Sequence, residues 1–222
     1  MKKVVYLSYP LNPTTPAYAN GNTLRIEEGN SIINGDSCNT SVWHLPNHLG
    51  THIDLPRHFV QDGKTVTDYP PGFWIFNSPY LLDVSPVRPN TIITPNDLEL
   101  SGIRNDVDLL LVKTGFCELR QDCAYWENNP GFDPCLAERL RLQFPLLRVF
   151  GFDSISLSSF SNRGLGREAH KSFLKHERPI LPLEDMDLAK VNRNTLLQQV
   201  IISPLIVEDA DGAPCTVLAK IS

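Results

Sequence analysis

The chain has 222 residues, of which 41% are hydrophobic and 9% aromatic, a composition typical of a globular protein that buries a sizeable core. Its formal net charge is −5 and it has no long run of lysine or arginine, which argues against nucleic acid or an anionic membrane as the main partner. No apolar stretch approaches the roughly 20 residues that span a bilayer. Because the sequence has no internal repeat, low-complexity tract or long linker, we predict one domain over residues 1–222.

The five cysteines are odd in number, and none is spaced as Cys-x-x-Cys. This usage is typical of reduced thiols, and it argues against both a disulfide framework and a thiolate zinc site. We therefore predict a cytoplasmic protein.

The predicted strands are short and several are strongly apolar. Residues 4–9 are predicted to form the first, because their apolar run is too short for a signal peptide and soon meets Pro10. Near the C-terminus, two strands flank residues 209–212, where the sequence Asp-Ala-Asp-Gly indicates a hairpin turn. After the first strand, the predicted strands are 79–84, 109–114, 149–155, 199–207 and 215–221, with a polar loop at 156–166.

Helices are predicted to be fewer. Leu136, Leu140 and Phe144 recur at helical spacing after an Asp-Pro pair, which is a typical helix start. A second helix is predicted from about residue 167 to 176. The pattern as a whole predicts a mixed α/β domain with more strand than helix.

Half of the chain's six histidines lie between residues 48 and 58. If this segment is extended, its even-numbered face carries His48, His52, Asp54 and His58, while the other face is mostly apolar. Gly50 then leaves space for an ion between the first two imidazoles, and the proline at position 56 ends the strand, so that His58 lies on the following loop. Imidazoles and a carboxylate on one face predict a metal site that suits Zn²⁺, with Mn²⁺ or Fe²⁺ as alternatives.

Two later segments offer further ligand candidates. His170 is predicted to project from the second helix, and Glu184 from the loop or strand after it. Spacing does not exclude four nearby competitors, which are Glu168, His176, Asp185 and Asp187. The sequence has neither a Gly-x-Ser-x-Gly nucleophile elbow nor a glycine-rich nucleotide fingerprint, so it gives no support for serine hydrolase or nucleotide chemistry.

Residues 48–59 match the pattern His-x-Gly-Thr-His-x-Asp-x-Pro-x-His-Phe at every fixed position. By this motif the sequence resembles the cyclase family of metal-dependent hydrolases, which includes bacterial kynurenine formamidases and isatin hydrolases. The resemblance extends over almost the whole chain. Its other segments are Leu7-Ser8, Pro16-Ala17-Tyr18, Thr114-Gly115-Phe116, Asn129-Pro130-Gly131, Gly151-Phe152-Asp153, Pro204-Leu205 and Asp211-Gly212-Ala213-Pro214. Three positions depart from the family. Tyr6 precedes Leu7-Ser8 where Asp is usual, and Tyr18 stands where formamidases commonly have Trp. Glu184-Asp185-Met186 stands where Glu-Asn-Leu or Glu-Gly-Leu is usual.

The resemblance implies a swivelling β/β/α fold, a small-molecule substrate, one or two Zn²⁺ ions with Mn²⁺ as an alternative, and a homo-oligomer, either a dimer or a tetramer. It also implies roles for individual residues. His58 takes the position of the catalytic acid/base, and Tyr18 that of an aromatic residue that contacts the substrate. Of the implied metal ligands, His48 and His52 bind the first ion and His170 binds the second. Asp54 bridges the two ions, and Glu184 binds or bridges both.

We therefore predict hydrolysis of an amide-type C–N bond in a small aromatic compound such as an N-formyl arylamine. A close alternative is the opening of a cyclic amide or lactone, as in isatin hydrolysis. A third is a non-hydrolytic metal-binding or biosynthetic cyclase-like protein. The presence of His58 argues against it, because metal binding alone would not require that residue. Four further aromatic residues could form the wall of a substrate pocket, although core packing is favoured for each one taken alone: Trp43, Phe59, Phe73 and Trp74.

Overall fold

The computed structural model describes residues 3–222, which form thirteen strands and three α-helices. The strands are β1 (Lys3–Tyr6), β2 (Arg25–Glu28), β3 (Ser41–His44), β4 (His52–Asp54), β5 (Ile75–Phe76), β6 (Pro79–Asp83), β7 (Ile92–Ile93), β8 (Leu109–Lys113), β9 (Gly131–Phe132), β10 (Val149–Phe152), β11 (Leu181–Glu184), β12 (Leu197–Pro204) and β13 (Gly212–Ile221). The α-helices are α1 (Ala124–Glu127), α2 (Cys135–Gln143) and α3 (Arg163–Leu174). Within this part of the chain, no helix has the length and apolar character needed to cross a membrane.

The main sheet has nine strands in the order β5–β12–β13–β4–β11–β10–β8–β6, and β1 also pairs with β13. Strands β11, β10, β8 and β6 are parallel, whereas the pairs from β11 to β5 are antiparallel. The central parallel strands are continuously apolar and buried, as expected for a parallel sheet covered on both faces. Because β12 also contacts β6, the sheet curls into a nearly closed barrel. The fold is therefore the mixed α/β type that was predicted, with more strand than helix.

Strand β4 is short, but its place in the sheet is central for the site. It lies between β11 and β13 and is antiparallel to both, so that His52 is opposite Glu184 and Asp54 is opposite Gly212. Helix α3 contacts β11, and its residue Phe173 packs against the ring of Phe150 in β10. These pairings bring segments from the first and last quarters of the chain to one point.

Two predicted strands end earlier than expected because side chains replace the backbone ladder. Strand β1 ends at Tyr6, after which Val217 N donates to the Ser8 hydroxyl. Strand β10 ends at Phe152, and the next side chain, Asp153, accepts hydrogen bonds from Thr114 N and Gly115 N. The apolar runs predicted these strands, but they did not reveal where the hydrogen bonding changes.

Helix α3 begins at Arg163, four residues before the predicted start, so the predicted loop at 156–166 is wrong over its last four residues. The side chain of Asn162 caps the helix by accepting a hydrogen bond from Leu165 N. The loop prediction rested on the polar character of this segment, which also has two glycines in the first turns of the helix. Gly166 is required by packing, because a Cβ there would lie 2.4 Å from Cβ of Ser158.

The predicted hairpin near the C-terminus is confirmed, since β12 and β13 are antiparallel and Pro204 is opposite Cys215. Its strands lie closer to the N-terminus than expected, and β13 begins at Gly212. Helix α2 is also confirmed, with Asp133 Oδ1 accepting from Cys135 N at its start. Within residues 3–222 all five cysteines are free thiols.

Candidate metal centre

The histidine-rich segment is extended only over β4, from His52 to Asp54. The predicted alternation therefore holds for these two residues, which lie on one face, and fails beyond them. Gly50 breaks the strand with a φ of +68°, and residues Pro56–His58 form a 3-10 turn. The alternate residues Leu49, Thr51, Ile53 and Leu55 are all buried, which agrees with the core packing predicted for them.

The reason for a glycine at position 50 differs from the one predicted. Its positive φ is a conformation that other residues rarely adopt. A Cβ at this position would also lie 2.4 Å from Cδ2 of Leu11. Gly50 thus serves the turn and its packing, and a Cβ there would meet Leu11 and Thr15 before it met an imidazole.

His48 and His58 reach the site through turns on either side of β4. Nδ1 of His48 lies 2.8 Å from Oδ1 of Asp54, and its ring centroid is 4.1 Å from that of His58. As predicted, Pro56 follows the end of the strand and His58 lies just beyond it. The three histidines and Asp54 are therefore close in space, although strand geometry does not bring them together.

His170 and Glu184 complete the cluster from α3 and from the end of β11. Nε2 of His170 lies 3.3 Å from Oδ2 of Asp54 and 3.5 Å from Oε1 of Glu184. Nε2 of His52 lies 3.4 Å from Oε2 of Glu184 and 3.5 Å from Oδ1 of Asp54. All four of these side chains are buried.

Hydrogen bonds from the far side of the rings fix the orientation of the two buried imidazoles. Nδ1 of His52 donates to the Gly50 carbonyl and Nδ1 of His170 donates to the Gly166 carbonyl, each at 2.8 Å. In both rings Nε2 is thereby left to face the carboxylates. This arrangement is typical of histidines that bind metals.

The charges of the cluster strongly favour a cation. Burial alone would lower the pKa of His52, but the hydrogen bond to Asp54 and the charge of Glu184 raise it to about 9. The same two carboxylates raise the pKa of His170 to about 10 against the effect of burial. Burial disfavours ionised Asp54, yet hydrogen bonds from His170, His48 and His52 hold its pKa well below the usual range. The carboxylates thus retain protons on the imidazoles, and a divalent ion would replace those protons.

The donor set fits a metal ion. His48, Asp54 and His58 each offer a ligand atom within 4.8 Å of the others, and so do Asp54, His170 and Glu184. Asp54 belongs to both groups, and a carboxylate in that position can bridge two ions. Imidazole nitrogens with carboxylate oxygens are the ligands that Zn²⁺ and Mn²⁺ accept.

The four competing residues have other partners. Glu168 is exposed and pairs with Lys171, and Nδ1 of His176 accepts from the backbone of Arg178. The carboxylates of Asp187 and Asp185 are also occupied, by Lys190 and Arg120 respectively. The structure brings His170 and Glu184 to the cluster and leaves these four out of it.

Asp211 is a site residue that the sequence did not identify. Its Oδ2 lies 2.8 Å from Nδ1 of His58 and 3.2 Å from Nε2 of His48. Gly212 follows it, and a Cβ there would lie 2.3 Å from Cε1 of His48. The sequence placed both residues in the predicted hairpin and in a segment that resembles the family, but it gave them no role in the site, because their contacts depend on the pairing of β13 with β4.

The cluster lies in a cavity of about 270 Å³. Tyr18 and Phe59 line it, and the Phe59 ring stacks on the imidazole of His170. The Tyr18 hydroxyl is buried and has no hydrogen-bond partner among residues 3–222. Of the other three candidates, Phe73 and Trp74 pack around the core, which is the role favoured for them, and Trp43 is exposed on β3 and does not line this cavity.

Comparisons with known proteins agree with this architecture. The model of the Cyclase family matches residues 5–159. Kynurenine formamidase of Bacillus mycoides is 28% identical over 94% of this chain and 92% of its own length. Cyclase-like protein 1 of Arabidopsis thaliana is 27% identical over 96% of this chain and 82% of its own length. Isatin hydrolase A from Labrenzia aggregata, solved bound to benzyl benzoate, superposes with a TM-score of 0.82 at 21% identity, covering 99% of this chain and 93% of that one.

Proposed function

The chain belongs to the Cyclase family, and on that premise we propose that it is a metal-dependent hydrolase that cleaves an amide-type C–N bond in a small aromatic substrate. The main observation in support of this proposal is the buried group of imidazoles and carboxylates on the wall of a cavity. Several relatives that match nearly the full chain are named kynurenine formamidase, which supports an N-formyl arylamine as the substrate.

We propose His48, His52, Asp54, His170 and Glu184 as the ligands of one or two Zn²⁺ ions, with Mn²⁺ as an alternative. Their oriented rings, their short separations and the two buried carboxylates among them support this assignment. Such an ion lowers the pKa of water toward about 7 and polarises a carbonyl oxygen. The chain's own residues would supply the remaining functions.

His58 is the proposed acid/base. It is less buried than the other histidines of the site, and it lines the cavity. Because Asp211 engages its Nδ1, Nε2 is the nitrogen left to transfer a proton. In amide hydrolysis that proton goes to the departing nitrogen, which would otherwise leave as an unstable anion.

The cavity is suited to a small substrate. Its volume of about 270 Å³ lies just below the usual range of about 300–1,000 Å³ for small-molecule pockets. Tyr18 and Phe59 offer aromatic faces, and the buried Tyr18 hydroxyl offers a hydrogen bond to a polar group. We propose Tyr18 as the substrate contact on this basis.

The test is a direct assay of the purified chain with N-formylkynurenine and with isatin, both followed by absorbance. Turnover of N-formylkynurenine that is lost on addition of a chelator supports the proposal. Preference for isatin would instead indicate opening of a cyclic amide, which the likeness to isatin hydrolase A makes the second candidate. Stoichiometric metal without hydrolysis of either compound would contradict a hydrolase of either kind.

We also propose that the chain is a homo-oligomer, most simply a dimer. Strands β2 and β3 form a separate two-stranded ribbon whose residues are all exposed, including Ile26, Val42 and Trp43. Such ribbons are at best marginally stable alone in water, and Ile33 near the tip is 93% exposed. Light scattering should give at least twice the chain mass, and Ile33→Asp should reduce it.

The remaining proposals concern domain organisation and compartment. The main hydrophobic core includes residues from Val5 to Ala219, which supports one Cyclase domain over the whole chain. Five free thiols support a cytoplasmic location. Limited proteolysis and fractionation of the source cells would test these two points.

A further inference from the structure

A buried ion pair lies directly beside the candidate metal centre. The guanidinium of Arg120 donates to both carboxylate oxygens of Asp185, from Nε at 2.8 Å and from Nη2 at 2.7 Å. The Tyr125 hydroxyl donates to Oδ1 of Asp185 at 2.5 Å. The Tyr9 ring lies 3.8 Å from Cζ of Arg120. All four side chains are buried or partly buried, and none is a proposed ligand.

Stability alone is a poor explanation for this pair. Removing two charges from water is costly, and their mutual attraction often does no more than offset that cost. An apolar pair of similar volume would therefore hold the fold about as well. The placement of Asp185 gives a better reason.

Asp185 follows Glu184 directly and has a φ of +51°, in the left-handed region that most residues avoid. Its N–H donates to the Ser154 carbonyl, and its carbonyl accepts from the Thr51 hydroxyl. Thr51 is the residue before His52. The backbone of Asp185 therefore joins the end of β11 to the start of β4, where two proposed ligands are located.

The charge of Asp185 provides a second reason for its pairing with Arg120. Asp185 lines the same cavity as Asp54 and Glu184. A free carboxylate at this point would compete for a bound cation or alter its coordination. Because Arg120 donates to both of its oxygens, Asp185 is neutralised and neither oxygen is free to bind an ion at the site.

We propose that Arg120 and Asp185 are positioning residues for the metal centre. Their pair holds the strained backbone beside Glu184 and the start of β4 in a geometry that binds a metal ion, and it withholds the Asp185 carboxylate from that ion. The inference rests on the proposed metal site, and it assigns a role to residues that lie outside the ligand set.

The test compares Zn²⁺ and Co²⁺ binding by the metal-free chain and three variants. Asp185→Asn keeps the side-chain shape and tolerates a positive φ, but it loses the charge. Arg120→Met keeps the aliphatic length and removes the donors. Arg141→Met is the matched control, because Arg141 is another buried arginine, which donates to the carbonyls of Phe173 and Arg178. Circular dichroism verifies that each protein is folded at the temperature used.

We expect Asp185→Asn and Arg120→Met to weaken Zn²⁺ binding by about 10- to 100-fold, the usual effect of losing a residue that supports metal ligands. The visible spectrum of bound Co²⁺ should also change, whereas Arg141→Met should bind both ions like the unaltered chain. Unchanged affinity and spectrum in Asp185→Asn would overturn the inference, as would an equal loss in Arg141→Met. If the unaltered chain binds neither ion, it is the proposed function that fails.

Discussion

Oδ2 of Asp211 lies 2.8 Å from Nδ1 of His58, although 153 positions separate the two residues in the chain. The same oxygen lies 3.2 Å from Nε2 of His48. Burial opposes ionisation of Asp211, but the hydrogen bond from His58 and the charge of His48 lower its pKa. A charged Asp211 therefore fixes both the orientation of His58 and the nitrogen that carries its proton.

Asp211→Asn should lower kcat by about tenfold or more. General acid/base catalysis contributes about 10²–10⁴-fold, and the amide weakens the orientation of His58 without removing the imidazole. Metal content should fall much less than kcat, because Asp211 is not a proposed ligand. Steady-state kinetics with elemental analysis of the same samples checks this. Full activity would show that the contact with His58 has no catalytic role.

His58→Ala should abolish turnover while the protein keeps its metal. The imidazole is the proposed proton donor, whereas the buried cluster of Asp54, His170 and Glu184 does not depend on it. The measurement is turnover of N-formylkynurenine together with metal content. Loss of the metal in this variant would indicate that His58 is itself a metal ligand. Its distances to His48 and Asp54 allow such an arrangement.

Metal affinity should rise with pH. With pKa values raised to about 9 and about 10, His52 and His170 hold protons near neutral pH, and these must leave before the imidazoles bind an ion. Below the raised pKa, each displaced proton lowers the Kd for the metal ion about tenfold per unit rise in pH. Two displaced protons therefore lower it about 100-fold per unit. Chelator competition at several pH values between about 6 and 8.5 measures the slope. A Kd independent of pH would contradict this account of the cluster's charge.

Gly212→Ala should disturb the metal site and leave the fold intact. The added methyl would lie 2.3 Å from Cε1 of His48, and the imidazole is the part that can move, away from Asp54. We expect lower metal affinity at nearly unchanged thermal stability. Gly164→Ala is the control, because nothing lies within 4 Å of a Cβ there, and this substitution in α3 should stabilise by up to about 1 kcal/mol. Equal metal affinity in both variants would contradict the role given to Gly212.

The local part of the site could be predicted from the sequence. His48, His52, Asp54 and His58 are close in the chain, so almost any conformation between the two turns keeps them near one another. The detailed geometry was harder to predict, because alternation along a strand applies only to His52–Asp54.

The distant part of the site required tertiary structure. Asp211 reaches His58 only because β13 pairs with β4, and Arg120 reaches Asp185 from a 3-10 segment 65 positions earlier. Helix α3 also began earlier than predicted, since its glycines resemble a loop until the contact of Gly166 with Ser158 is known. Residue type alone does not reveal which backbones must approach closely.

The most direct test of the central claim is the metal content of the purified chain, measured by elemental analysis beside His52→Ala and His176→Ala. His176 is an exposed histidine outside the cluster, so its variant controls for the loss of any imidazole. We expect one or two equivalents of zinc or manganese in the unaltered chain and in His176→Ala, with a large loss in His52→Ala. Absence of metal from the unaltered chain, with none taken up when Zn²⁺ or Mn²⁺ is added, would contradict this expectation.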